Sequence, residues 1–91
     1  MKVLWRRRAI EDLPRIRKRF DLDSKPRFIA HIKQVAKTLE RFPFAGRPGR
    51  VSNTRELPVS NIPFVVPYTV GEQVEILAVI HGSLQWPEDL F

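Results

Sequence analysis

The 91-residue chain has no cysteine, which excludes disulfides, thiolate nucleophiles and thiolate metal sites and suits a reducing compartment. Its two histidines, His31 and His81, have no clustered carboxylates in the sequence around them, so neither a zinc site nor any other metal or cofactor is expected. No apolar run approaches the roughly 20 residues that a bilayer-spanning helix needs. Met1-Lys2 leads straight into a strand-like segment with no leader pattern, so a cytoplasmic protein with no membrane partner is expected. Repeats and low-complexity tracts are also missing. The most informative shortage is of cations, because no Lys or Arg follows Arg55.

That shortage splits the molecule electrostatically. All 16 Lys and Arg lie in residues 1–55 against five carboxylates, giving +11, while residues 56–91 hold five carboxylates and no cation, giving −5. A basic half of this kind attracts nucleic acid or an acidic protein segment by long-range steering, or is simply a solvated helix surface. The length predicts one domain over residues 1–91, able to bury about two-thirds of its unfolded surface.

Lys2 to Arg6 reads as a first strand, with Val3 and Trp5 on one side. Ala9, Leu13, Ile16 and Phe20 then recur at helical spacing among Arg15, Arg17, Lys18 and Arg19, the pattern of a basic amphipathic helix. Pro14 breaks a helix interior, so a late start with Asp12 as cap, or a kink, is expected. Asp23 or Ser24 is placed to cap a second helix that tolerates Pro26 in its first turn and runs to about Phe42. Its apolar stripe is Phe28, Ile32, Val35, Leu39 and Phe42. Lys33, Lys37 and Arg41 form a solvated edge, and His31 falls outside the buried stripe.

Pro43 to Arg50 is rich in Pro and Gly and reads as a loop that holds Arg47 and Arg50 out in solvent. Thr54 to Val59 is a short strand closed by a Ser60-Asn61 turn. Phe64 to Val70 and Val74 to His81 form a hairpin about Gly71-Glu72-Gln73, and the second of these is apolar on both alternating sets, as a strand inside a sheet requires. Pro67 has no N–H to give a ladder, so a bulge or an unpaired edge is expected there. A three-residue loop sets Val70 opposite Val74 and keeps Tyr68 in the core, facing away from His81; a two-residue turn sets Tyr68 beside Glu75 and His81. The apolar match favours the first register. The order β-α-α-β-β-β predicts an α+β fold, a helical hairpin packed on a mainly antiparallel four-stranded sheet.

These pieces resemble the RelE/ParE toxins of bacterial type II toxin–antitoxin modules. The likeness is carried by the first strand followed by Ala9, Asp12, Leu13 and Ile16, then Phe42-Pro43 with Gly46-Arg47-Pro48-Gly49-Arg50. It continues in Thr54-Arg55-Glu56-Leu57, Pro63 to Tyr68, Val74 to Leu77, and Val79-Ile80-His81-Gly82. The resemblance implies a toxin neutralised by a cognate antitoxin and aimed at DNA gyrase or at mRNA on the ribosome. It leans to the ParE-like branch, since RelE-like sequences often carry Arg where Ala78 stands and place cations on the last strands.

If the chain cut mRNA, His81 and Arg55 would be its catalytic candidates, although His81 also suits a strand-end structural role. Arg47 and Arg50 are candidates for a phosphate or an acidic partner. Arg15, Arg17 and Arg19 are candidates for an acidic C-terminal segment of the antitoxin. A basic nucleic-acid-binding module without toxicity is the reading from another class, and Trp86 is expected to pack the tail onto the domain.

Overall fold

A computed structural model describes residues 1–22, 27–83 and 86. The chain runs β1 (Val3–Trp5), α1 (Arg7–Arg19), α2 (Phe28–Arg41), β2 (Arg47–Pro48), β3 (Arg55–Pro58), β4 (Phe64–Val70), β5 (Val74–Ile76) and β6 (Ile80–His81). This is the expected α+β order, but the sheet is mixed and six-stranded rather than four-stranded. Its order is β1-β5-β4-β3-β2, with β6 pairing β4 beyond β5. The two helices carry the chain from one sheet edge to the other, and the antiparallel strands that follow return until β5 lies parallel to β1, with Val3 opposite Val74 and Trp5 opposite Ile76. β5 therefore lies inside the sheet, as its two-sided apolar pattern requires.

Both helices lay their apolar faces on the sheet side formed by Phe64, Val66, Tyr68, Val74 and Ile76. Phe20 at the end of α1 and Phe28 at the start of α2 both meet the ring of Phe64, at 5.5 and 6.1 Å between centroids. At the other end, the Met1 ammonium donates to the carbonyl of Glu40 at 2.7 Å. The helices thus form an antiparallel hairpin. The expected Asp23 or Ser24 cap and Pro26 lie outside the described residues.

α1 corrects two expectations. It starts at Arg7 with Arg6 at its N-cap, and Pro14 lies inside it. Pro14 cannot donate to the carbonyl of Ile10, and Ile10 is exposed, so the missing bond falls on the side of the helix next to water. Asp12 is not a cap. It is 4 % exposed and faces the sheet.

The reason lies in β4. The hairpin has the favoured register, with Val70 opposite Val74 and Tyr68 opposite Ile76. Beyond it the pairing slips, because Val65 faces Ile80 and Phe64 faces His81, so four steps on the last segment match three on β4. This is the bulge expected at Pro67. The Leu77 N–H donates to the Pro67 carbonyl at 2.9 Å, and Pro67 has no N–H to return. The slip reverses side-chain parity. Val79 joins the helix-side core, while Ala78 and Ile80 turn to the opposite face under Trp86. The Val79 N–H, released from the ladder, donates to Asp12 Oδ2 at 3.0 Å.

Burial pushes the Asp12 carboxyl above its usual range, against the lowering effects of the Val79 N–H, Arg8 and Arg15. A raised folded-state value means that the native protein binds this proton more tightly than the unfolded chain, so this contribution to stability is full at low pH and is lost as pH rises through the raised value. Asp12→Ala should lower stability by about 1–3 kcal/mol, since it strands the buried Val79 N–H, and Asp12→Asn, which keeps an acceptor, should cost less. Urea unfolding from pH 4 to 7 should show wild type losing ground to Asp12→Asn as pH rises. A pH-independent difference would detach Asp12 titration from stability.

Candidate functional site

The cations named from sequence fall into separate places. On α1, Ala9, Asp12 and Ile16 are buried and the arginines occupy the rest of the surface. Arg15 Nη1 lies 3.4 Å from Asp12 Oδ1, and Arg19 stands over the Phe20 ring at 5.5 Å. Arg17, Lys18 and Arg19 fill the last turn, where the exposed carbonyls of the helix C-terminus favour positive charge. Arg15 and Arg19, four residues apart, share one side of α1, while Arg17, two residues from each, lies on another.

Arg47 and Arg50 are not free loop cations. Arg47 lies in β2 opposite Glu56 of β3, and Glu56 is 2 % exposed. Its carboxylate is held by Arg47 Nη2 at 3.4 Å, by Arg50 Nε at 3.3 Å and by the backbone N–H of Arg50 at 2.7 Å. The Arg50 guanidinium also lies 3.8 Å from the centre of the Trp86 ring, and Trp86 packs on Ala78 and Ile80. Gly49 permits the tight turn, because a Cβ there would collide with the Thr54 side chain. Sequence reading does not show that Glu56 is buried and holds these two arginines. Its burial depends on β2 folding back across β3 to cover it.

Arg55 points the other way. It pairs across the ladder with Tyr68, and its Nη1 donates to the carbonyls of Gly46 at 2.7 Å and Phe44 at 3.3 Å. The Gly46 N–H donates to the Tyr68 hydroxyl at 2.8 Å. Glycine is required here, since a Cβ at Gly46 would lie 2.7 Å from that hydroxyl. Burial raises the Tyr68 phenol above its usual value, opposed by the Gly46 N–H and by Arg55. Tyr68 is the core tyrosine expected, and with Arg55 it fastens the segment after α2 to the sheet.

His81 ends β6. Its ring stacks on Phe20 at 5.3 Å and meets the edge of Phe64 at 5.4 Å, while Nδ1 takes the Ser83 N–H at 3.2 Å. The bulge corrects its placement, because His81 shares the helix-side face with Tyr68 instead of facing away. The two still lie four positions apart along β4, about 13 Å at strand spacing. Arg55, opposite Tyr68, is as far along, on the other side of β4. Arg47 and Arg50 gather round Glu56 on the opposite face of the sheet. Arg55, His81 and the Arg47–Arg50 pair are thus not brought together round one point.

The apolar stripe of α2 ends at Leu39. Phe42, expected in that stripe, lies past the helix end at Arg41 and is exposed, as is Phe44. Among the described residues, no group of three or more His, Asp or Glu is arranged to hold a metal ion, and no helix is long and apolar enough to cross a membrane.

Removing both guanidiniums leaves the buried Glu56 carboxylate with one N–H. Because both arginines are half-exposed and partly screened, Arg47→Ala/Arg50→Ala should cost less than the roughly 3–5 kcal/mol of breaking a fully buried pair, yet clearly lower unfolding stability. Adding Glu56→Gln should recover part of that loss, because a neutral amide needs no counter-charge. Unchanged urea unfolding in the double variant would show the ion pairs to be dispensable.

Residues 3–86 match the family model described as ParE toxin of type II toxin-antitoxin system, parDE. A curated relative from Sinorhizobium fredii (strain NBRC 101917 / NGR234), named "Putative toxin Y4kP", is 38 % identical over 92 residues, covering 98 % of this chain and 96 % of its own length. A solved structure titled "Chromosomal ParDE TA system from P. aeruginosa" superposes with a TM-score of 0.78 at 27 % identity, covering 89 % of this chain and 95 % of that one.

Proposed function

The chain belongs to the ParE toxin family of type II toxin–antitoxin systems, and from that premise we propose that it arrests growth in the cytoplasm by binding DNA gyrase and is neutralised by a cognate antitoxin. The observation that carries the choice of target is where the cations are. Cleaving mRNA through the ribose 2′-OH requires preorganised positive charge where the phosphorane develops, and one lost contact of that kind costs roughly 10²–10³ in rate. No Lys or Arg follows Arg55. Arg55 is committed to the Phe44 and Gly46 carbonyls, and Arg47 and Arg50 to Glu56. Inhibition by protein contact asks for none of this machinery.

Purified toxin added to a gyrase supercoiling assay and, in parallel, to programmed ribosomes with mRNA end-mapping separates the two targets. Inhibited supercoiling with intact mRNA is the expected result. Codon-positioned cleavage that disappears in His81→Ala would replace gyrase with the ribosome and make His81 catalytic.

We propose for the antitoxin an acidic C-terminal segment steered toward α1 by the charge of Arg15, Arg17 and Arg19. Rim charges act mainly on association rate. Arg17→Glu/Arg19→Glu, which leaves the Arg15–Asp12 pair in place, should slow association most at low ionic strength and lose that effect as salt is raised. An association rate independent of both mutation and salt would remove the steering role.

A further inference from the structure

Among the described residues, large apolar side chains are exposed at Met1, Leu4, Ile10, Phe42, Phe44 and Val51. Two of these stand out. Phe42 and Phe44 are 59 and 62 % exposed and are separated by a single residue just past the end of α2. With Arg41, Pro43 and Ala45 they line a shallow depression of about 490 Å³.

This exposure is held in place by the backbone. The Phe42 N–H donates to the Thr38 carbonyl at 2.7 Å, and the Ala45 N–H to the Phe42 carbonyl at 3.0 Å. Arg55 binds the Phe44 and Gly46 carbonyls, and the Gly46 N–H is tied to the Tyr68 hydroxyl. A corner fixed in this way has little further conformational entropy to lose on binding. Two neighbouring aromatic rings exposed on a fixed backbone mark a contact surface.

The rim selects the occupant. The Arg41 guanidinium lies 5.5 Å from the Phe42 ring centre and that of Arg55 lies 5.0 Å from the Phe44 ring centre. Lys37, one helical turn before Arg41, adds a third cation, and Glu40 is the one carboxylate in residues 37–47. A second copy of the chain would bring like charge to like. A stacked base would compete with the guanidiniums for the ring faces. An acidic protein segment with bulky apolar side chains complements both the rim and the rings.

α1 has the complementary deficiency. It carries the steering arginines, yet Ile10 is its one large apolar side chain in the exposed class. Charge at a rim sets arrival, whereas buried aromatic anchors set residence. We infer that Phe42 and Phe44 anchor an acidic, apolar-bearing segment of the antitoxin, and that the α1 arginines serve only its approach. The inference rests on the antitoxin reading above. The corner sits at the end of the hairpin away from Arg17 and Arg19, about 20 Å along a 13-residue helix. One segment engaging both ends therefore spans about 13 residues as helix or about six as strand.

The test uses residues 1–91 and, as probe, the protein encoded by any short reading frame found next to its gene, with association and dissociation followed by biolayer interferometry. Phe42→Ser/Phe44→Ser should dissociate about tenfold faster or more, with its melting temperature and association rate close to wild type. Phe42→Leu/Phe44→Leu, which keeps apolar bulk, should fall between. Arg17→Glu/Arg19→Glu should change association alone. An unchanged dissociation rate in both Phe variants overturns the anchor while leaving the antitoxin in place. Absence of wild-type binding removes the antitoxin reading and the anchor with it. Self-association by sedimentation, or oligonucleotide binding, that is lost in the Ser variant while antitoxin dissociation is unchanged would give the corner to a second copy or to nucleic acid.

Discussion

The missing N–H of Pro67 is the constraint on which the sheet depends. Because the imide cannot return a bond to the strand beside it, the ladder gives up one pairing and takes in an extra residue between Ile76 and Ile80. Everything distal to that point is turned over by one side-chain position. Val79 enters the helix-side core, Ala78 and Ile80 form a separate cluster on the reverse face, and a backbone N–H is left for a group outside the sheet. Asp12, 67 residues away in sequence, supplies that group. The bulge is thus the point where α1 is fastened to the strands, and the buried carboxylate is tolerated because it satisfies a backbone donor that would otherwise be stranded.

A second buried carboxylate explains how so basic a chain holds together. Glu56 draws Arg47, Arg50 and the Arg50 backbone to itself, converting two apparently free cations into part of the fold. Arg55, one residue earlier, projects from the other face and spends its donors on carbonyls. Cations a few residues apart in sequence therefore do different work according to strand parity. The basic surface left for a partner is smaller than the +11 of residues 1–55 suggests, and it concentrates on the helices and the segment that follows α2.

Much of this was legible in the residues, and the exceptions have identifiable causes. Element order, the Val70–Val74 register, the core position of Tyr68 and the irregularity at Pro67 all follow from local chemistry: apolar pairing, a short loop, an absent donor. What the irregularity does to parity was not legible, because no local signal says which strand takes the extra residue. For that reason a regular register sets His81 on the wrong face. The parallel place of β1 was hidden because three residues carry no pattern that names a partner. Pro14 pointed to a late helix start, but its lost bond falls beside the exposed Ile10, where a helix tolerates it. Phe42 joins the buried stripe only if the helical period is carried past Arg41, where the helix has already ended. The arginines of α1 are visible in the sequence as charge. The burial of Glu56 is not visible, since it depends on β2 folding back across β3 to cover it.

The parallel pairing of β1 with β5 has a consequence for synthesis. Val3 cannot find Val74 until the intervening residues have been translated, which at about 5–20 residues per second takes on the order of several seconds. The connection is among the most non-local in the fold, and non-local strand pairing is slow to close even when the whole chain is available. Until it closes, the apolar faces of both helices lack part of the sheet they pack on. The newborn chain is therefore incomplete throughout elongation, and a cell that makes it has an interval in which the protein exists as a polypeptide but not yet as a finished surface.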